Sequence, residues 1–264
     1  MNLGINDKKA FVSGGSTGIG KAIAIELAKE GVSVVISSRE EKRIKNAIEE
    51  LCSFGNNHYG IVIDPTSENG PENIYLDIMN NFGEIDILVN NIGSNLGLTD
   101  PYCSIDDWRN IFRVNFEIAV ELNNLFLPHM KEQDWGRILN ITSLAGLENS
   151  GPVTYCVSKA ALTAYTRTMG RILATESKNV VMSALMPGVI LTEEGYWSEV
   201  LKERPEHAMK YLKERCPLGR LGDTKEISPM AVLMCSELAS FMHGAIVPVD
   251  AGQSKHFMYF NYLD

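Results

Sequence analysis

The chain has 264 residues, 45% of them hydrophobic, enough to bury one large core, and its formal net charge is -9. That acidity argues against a general affinity for nucleic acid or anionic lipid, and no apolar run is long enough to span a bilayer. Five scattered cysteines without a Cys-x-x-Cys pair, and five dispersed histidines without a His-Glu-x-x-His, predict reduced thiols, no metal site and a cytoplasmic protein.

No Pro/Ser/Gly-rich linker, charge block or repeat divides the chain, so residues 1–264 are expected to form a single domain. Met1 to Lys9 is polar, lacks the features of a signal peptide, and runs straight into the apolar stretch Ala10 to Ser13. Gly14-Gly-Ser-Thr-Gly18-Ile-Gly20 follows at once, and Ile19, Ile23 and Leu27 then repeat with helical period until Gly31. A strand, a glycine-rich turn and a helix make a pyrophosphate cradle: glycines let the backbone approach closely, and the helix N-terminus presents free N–H groups. Gly14, Ser16, Thr17, Gly18, Ile19 and Gly20 are therefore candidate cofactor-binding residues. A glycine-rich turn alone is also what a tight connection looks like; its place between a strand and an amphipathic helix favours the nucleotide.

Strand and helix signals then alternate. Val32 to Ile36 reads as a strand, Glu40 to Leu51 as a helix, Tyr59 to Ile63 as a strand ending at Asp64, and Asn73 to Phe82 as a helix. Ile85 to Val89 is a strand ending in Asn90-Asn91-Ile-Gly93, and Trp108 to Met130 one long helix. Arg137 to Thr142 leads into Ser143, Val180 to Met186 ends at Pro187-Gly188, and Ala245 to Val249 closes the series. The alternation predicts an α/β fold, a doubly wound, Rossmann-like parallel sheet of about seven strands with helices on both faces. Right-handed crossovers carry the strand C-termini to one edge, where the glycine turn, Asp64, Asn90, Ser143 and Pro187 are expected to converge.

If the run from Ala160 to Glu176 is helical, Tyr155 and Lys159 stand one turn apart on one face. An ammonium beside a phenol lowers a pKa that is ordinarily about 10, which makes the tyrosine a proton donor and acceptor near neutral pH. Ser143 is placed to hydrogen-bond the oxygen that Tyr155 protonates. The same tyrosine–lysine spacing also occurs on solvated helix faces, and the neighbouring Cys156 reads as a small packing residue.

Taken together, these residues resemble the single-domain short-chain dehydrogenases/reductases, and the likeness covers nearly the whole chain. It rests on Gly14, Gly18 and Gly20, on Asn90-Asn-Ile-Gly93 (the family usually shows alanine at Ile92), on Asn115, Ser143, Tyr155 and Lys159, and on Pro187-Gly188 with Thr192. The resemblance implies hydride transfer between a nicotinamide and a carbinol carbon, with Asn115, Ser143, Tyr155 and Lys159 as the catalytic tetrad. Tyr155 would exchange the proton, Lys159 would tune it and hold the ribose hydroxyls, and Ser143 would polarise the carbonyl. Asn115 would hold a water that extends the proton path; without the resemblance it reads as a polar residue satisfying backbone groups in a buried helix. Asn91, Gly93, Pro187, Gly188, Val189, Ile190 and Thr192 would border the cofactor, the last five at the nicotinamide carboxamide.

NAD-preferring members usually carry an aspartate at the end of the second strand. Here the stretch is Ile36-Ser-Ser-Arg-Glu40, in which Ser38 brings no repelling carboxylate and Arg39 can pair with a 2′-phosphate. NADP(H) is therefore favoured over NAD(H), the alternative being that Arg39 stacks on adenine. Asp64, followed by Pro65, would bond the adenine amino group.

Residues 191–220 resemble the family's substrate lid and carry Tyr196, Trp197, His207 and a mixture of charges. With Asn95, Glu148 and Asn149 opposite, the candidate substrate residues are Asn95, Ser143, Glu148, Asn149, Tyr155, Trp197 and His207, and the pocket reads as polar. A sugar-like or polyhydroxy substrate is expected. The rival is a 3-ketoacyl reductase, which should offer a basic patch to an acidic carrier; Lys131 to Trp135 is mixed in charge instead. A reading of another class is a dinucleotide-binding scaffold without turnover, which has no need of all four tetrad residues. The tail, residues 253–264, holds Phe257, Tyr259, Phe260 and Tyr262, and is expected at a subunit contact of a homodimer or homotetramer.

Overall fold

The computed structural model describes residues 1–55, 57–148 and 150–255. Six strands come first: β1 (Lys9–Val12), β2 (Ser33–Ser38), β3 (Tyr59–Val62), β4 (Ile87–Asn90), β5 (Gly136–Ile141) and β6 (Val180–Pro187). A short pair, β7 (Ile190–Leu191) and β8 (Gly222–Asp223), precedes the last strand, β9 (Ile246–Val249). Seven of them form one parallel sheet in the order β3-β2-β1-β4-β5-β6-β9. This is the doubly wound, Rossmann-like architecture the alternation predicts.

Helices cover both faces, so the central strands are continuous apolar runs rather than alternating ones. Alternation within β1 shows the two layers: Ala10 and Val12 face one core, and Phe11 faces the other. The first core is closed by α1 (Gly18–Lys29) and α2 (Glu41–Leu51), through Ile23, Leu27, Ile44 and Leu51. On the opposite face α3 (Gly70–Asn81) contributes Ile74 and Ile78.

The long helix expected from Trp108 to Met130 is three pieces. Ser104 caps α4 (Ile105–Phe112) through a reciprocal box with Asp107, a wide π turn occupies Arg113–Glu117, and α5 (Ile118–Glu132) continues the axis. One residue inserted into the helical ladder rotates every side chain beyond it, which is why such turns mark sites. α6 (Val153–Glu176) starts right after Pro152, so Tyr155 and Lys159 lie in its first two turns. The lid region contains α7 (Tyr196–Glu203) and α8 (Pro205–Arg215), and its ends are tied where β7 pairs with β8. α9 (Ser228–Met234) packs back on α1, an element with no sequence expectation attached. Among the described residues, no helix is long and apolar enough to cross a membrane.

The chain builds outward from β1 to β3, then returns to β4 on the other side of β1. That reversal opens a crevice at the C-terminal ends of β1 and β4, where ligands bind in sheets of this kind.

Candidate active site

The crevice is a cleft of about 1580 Å³ running from the glycine turn to the lid. At its floor, Gly14 has φ +64°, a conformation that favours glycine, and its N–H donates to Ser37 Oγ at 3.3 Å. A Cβ on Gly20 would lie 2.6 Å from the Gly14 carbonyl oxygen and run into the Asn91 amide, so only glycine lets α1 start here. Among the described residues, no side chain caps α1 at Thr17, which leaves its first N–H groups for a ligand. Ser16, Thr17 and Ile19 line the cleft, whereas Gly18 and Gly20 shape it from behind. Asn91 and Gly93 line the cleft too, and Asn91 Nδ2 donates to the carbonyls of Ser13 (3.2 Å) and Gly14 (3.1 Å), bracing the turn.

At the β2 end, Ser38, Arg39, Asp64 and Pro65 line the wall. Asp64 accepts from the Thr66 hydroxyl (2.7 Å) and N–H (2.9 Å), and these bonds hold its carboxyl below the usual range. Sequence reasoning missed Arg43. Its guanidinium lies 2.8 Å from Glu40 and 2.7 Å from Glu194, joining α2 to the lid across the cleft.

Ser143, Tyr155, Lys159 and Asn115 do come together. Ser143 follows β5, accepts from the Ala145 N–H at 3.2 Å, and shares the cleft wall with Tyr155, whose pKa its hydroxyl lowers. Lys159 is 2% exposed; its Nζ donates to the Ile141 carbonyl at 3.0 Å and sits 5.9 Å from the centre of the Tyr155 ring. Burial pulls the Lys159 pKa from 10.5 down to about 8. A Cβ on Gly93 would fall 2.6 Å from Lys159 Nζ and 2.9 Å from Asn115 Oδ1, so the two groups meet beneath that glycine. Asn115 sits in the π turn and is fully engaged by backbone: Nδ2 donates to Ser94 O (2.7 Å) and Ile111 O (3.0 Å), and Oδ1 accepts from Ser94 N (3.0 Å). It is therefore the backbone-satisfying residue that the sequence suggests when read without the resemblance, and it also touches the Lys159 environment.

One expectation is corrected. Although Tyr155 is only half-buried, desolvation is the largest influence on its phenol and raises its pKa, against the lowering by Ser143. Lys159 directs its ammonium to the Ile141 carbonyl, 5.9 Å from the ring centre, and the phenol's pKa is on balance raised rather than lowered as the spacing predicts.

Pro187, Gly188, Val189, Ile190 and Thr192 line the wall after β6 as expected. Asn95, Trp197 and His207 line the substrate half, with Trp197 packed 4.6 Å from Tyr211 between ring centres. Glu148 is a second correction. It does not line the cleft, because its Oε1 accepts from Ser254 Oγ at 3.1 Å and from the Lys255 N–H. Gln253, which the sequence offers only as the start of a tail, bridges Val189 and Tyr211. Asn149 and the aromatic tail from 256 onward lie outside the described residues.

Comparison with known proteins agrees with this geometry. A family model described as enoyl-(acyl carrier protein) reductase matches residues 14–254. The 3-oxoacyl-[acyl-carrier-protein] reductase FabG of Aquifex aeolicus is 35% identical over 254 residues, 96% of this chain and 99% of the relative. The 7alpha-hydroxysteroid dehydrogenase of Escherichia coli K12 is 33% identical over 255 residues, 95% of this chain and 96% of the relative. The crystal structure of L-sorbose reductase from Gluconobacter frateurii, complexed with NADPH and L-sorbose, superposes with a TM-score of 0.89 at 28% identity, covering 97% of this chain and 99% of the other. Motifs, sheet order and likeness over the whole length converge on one conclusion: the chain belongs to the short-chain dehydrogenase/reductase family and is an oxidoreductase that uses a nicotinamide dinucleotide.

Proposed function

We propose that the protein is a single-domain NADP(H)-preferring enzyme that interconverts a ketone and a secondary alcohol on a sugar-like or other polyhydroxy substrate. The observation that carries the reading is the meeting of Ser143, Tyr155 and buried Lys159 in one wall of a cleft that runs back to the glycine turn and the start of α1. A cleft of about 1580 Å³ running from the glycine turn past Tyr155 to the lid has room for a dinucleotide. The glycine turn and the N-terminus of α1 would hold the pyrophosphate, Ser38 and Arg39 the adenosine 2′-phosphate, Asp64 the adenine amino group, and residues 187–192 the carboxamide. When bound, the nicotinamide supplies or accepts the hydride.

Tyr155 gives its phenolic proton to the carbonyl oxygen in reduction, and a raised pKa keeps that proton in place at neutral pH. Ser143, held by the Ala145 N–H, donates to the same oxygen as charge develops on it. Lys159 would hold the ribose hydroxyls, and Asn115 orders the backbone beside it. Asn95, Trp197 and His207 supply polar and stacking contacts to the substrate. The L-sorbose-bound neighbour supports a polyhydroxy ligand and an NADPH preference.

A 3-ketoacyl reductase is the second reading, supported by the 35% relative. Against it, Lys131 is paired with Glu176 and Asp134 stands beside Lys178, so that corner is mixed in charge rather than a basic patch for an acidic carrier. The reading includes a cytoplasmic homodimer or homotetramer, supported by exposed Val153 and Val157 on α6. The test is a screen of NADPH and NADH consumption over ketoses, ketoacyl thioesters and oxosteroids. NADPH turnover on ketoses, abolished by Tyr155→Phe, is expected; equal turnover by that variant, or activity confined to ketoacyl substrates, overturns the reading.

A further inference from the structure

Gln253 follows β9, is 6% exposed, and touches two walls of the cleft with one side chain. Its Oε1 accepts from the Val189 N–H at 3.1 Å. A backbone N–H can only donate, so this contact settles which end of the amide is oxygen and turns Nε2 toward the Tyr211 hydroxyl, 2.8 Å away. The Tyr211 oxygen therefore accepts, and its own hydrogen is left to point elsewhere. Among the described residues that hydrogen has no acceptor, and Tyr211 lines the cleft. Its ring is fixed by Trp197, 4.6 Å between centres, and desolvation keeps the phenol protonated.

A half-buried hydroxyl with its acceptor side filled and its donor side open is a reader of oxygen atoms. We infer that Tyr211 is a specificity-determining residue that donates a hydrogen bond to a substrate oxygen remote from the reacting carbonyl, with Gln253 as its positioning residue. The inference rests on the proposed ketone chemistry and narrows it: the substrate is a ketone carrying a second oxygen acceptor, a hydroxyl or a further carbonyl. A hydrocarbon ketone would leave the donor unpaired, at the cost of an unsatisfied polar group. Gln253 also holds the Val189 backbone, so one amide sets both the cofactor wall and the polarity of the substrate reader.

The experiment compares steady-state reduction of L-sorbose and D-fructose with that of cyclohexanone, using NADPH, for the wild type and three variants. Tyr211→Phe removes the donor and keeps the ring. Gln253→Glu keeps an acceptor for Val189 but also accepts from Tyr211, turning its hydrogen away from the cleft. Each single variant is expected to lose about tenfold in kcat/KM on the ketoses, mainly through KM, and at least several-fold less on cyclohexanone. The double variant should be no worse than either single one, because both remove the same bond. Losses equal on both kinds of ketone, additive losses, or an unchanged ketose KM would overturn the inference while leaving the ketone chemistry standing. A wild type that reduces cyclohexanone alone overturns it outright, and one that reduces no ketone at all overturns the proposed function and this inference with it.

Discussion

Lys159 is a cation at 2% exposure with a carbonyl for its partner and, among the described residues, no carboxylate, so the folded enzyme carries it at a cost. A displacement from 10.5 to about 8, at roughly 1.4 kcal/mol per pKa unit, corresponds to about 3 kcal/mol of lost stability at neutral pH. Lys159→Met removes the charge and keeps the length of the side chain. It also strips the Ile141 carbonyl of its donor, which costs about 1–2 kcal/mol, so the net gain is about 1–2 kcal/mol, or a Tm about 2–6 °C higher. The sign with pH comes from linkage. Between about 8 and 10.5 the unfolded chain holds a proton on this lysine that the folded chain has released, so the wild type gains stability as pH rises through that window. Thermal melts of both proteins at pH 7 and pH 9.5, at one protein concentration, should show the variant ahead at pH 7 and the gap closing at pH 9.5. A variant less stable at pH 7, or a gap that ignores pH, would refute the claim that the site stores desolvation energy in its lysine.

With Lys159 losing its proton near pH 8 and Tyr155 keeping its own, kcat/KM for reduction should be level below neutrality and fall above about pH 8; a profile flat to pH 9.5 would count against the assignment. Gly170 lies where α6 crosses the chain before β9, and a Cβ there would sit 2.5 Å from Gly244 Cα and 3.0 Å from the Met182 carbonyl. Gly170→Ala should therefore cost about 2–3 kcal/mol in urea unfolding, and an unmoved midpoint would show that the crossing can relax. Arg39→Asp should weaken NADPH binding on the order of tenfold and favour NADH, as read by quenching of protein fluorescence. Glu194→Gln should release Arg43 toward the same phosphate and tighten NADPH about two- to fivefold without changing NADH, since an exposed ion pair is worth about 1 kcal/mol or less.

The alternation of strands and helices, the glycine turn before α1 and the Tyr155–Lys159 spacing are short-range features. Each is written in a few consecutive residues as a periodicity or a steric demand, so the sequence alone determined the sheet, its ligand-binding edge and the residues that gather there. What the tertiary structure decided are the relations between distant segments. The π turn that holds Asn115 could not be told from ordinary helix, because it spans only five residues and shifts the apolar phase by a single position within a long helical run. Arg43 found Glu194, Glu148 turned to Ser254 and Lys255, and Gln253 joined Val189 to Tyr211 only because the lid and the segment after β9 fold over the cleft. The ionisation of Tyr155 was likewise decided in three dimensions. Desolvation depends on everything packed around a group, and here it outweighs the neighbour one helical turn away that the sequence made visible.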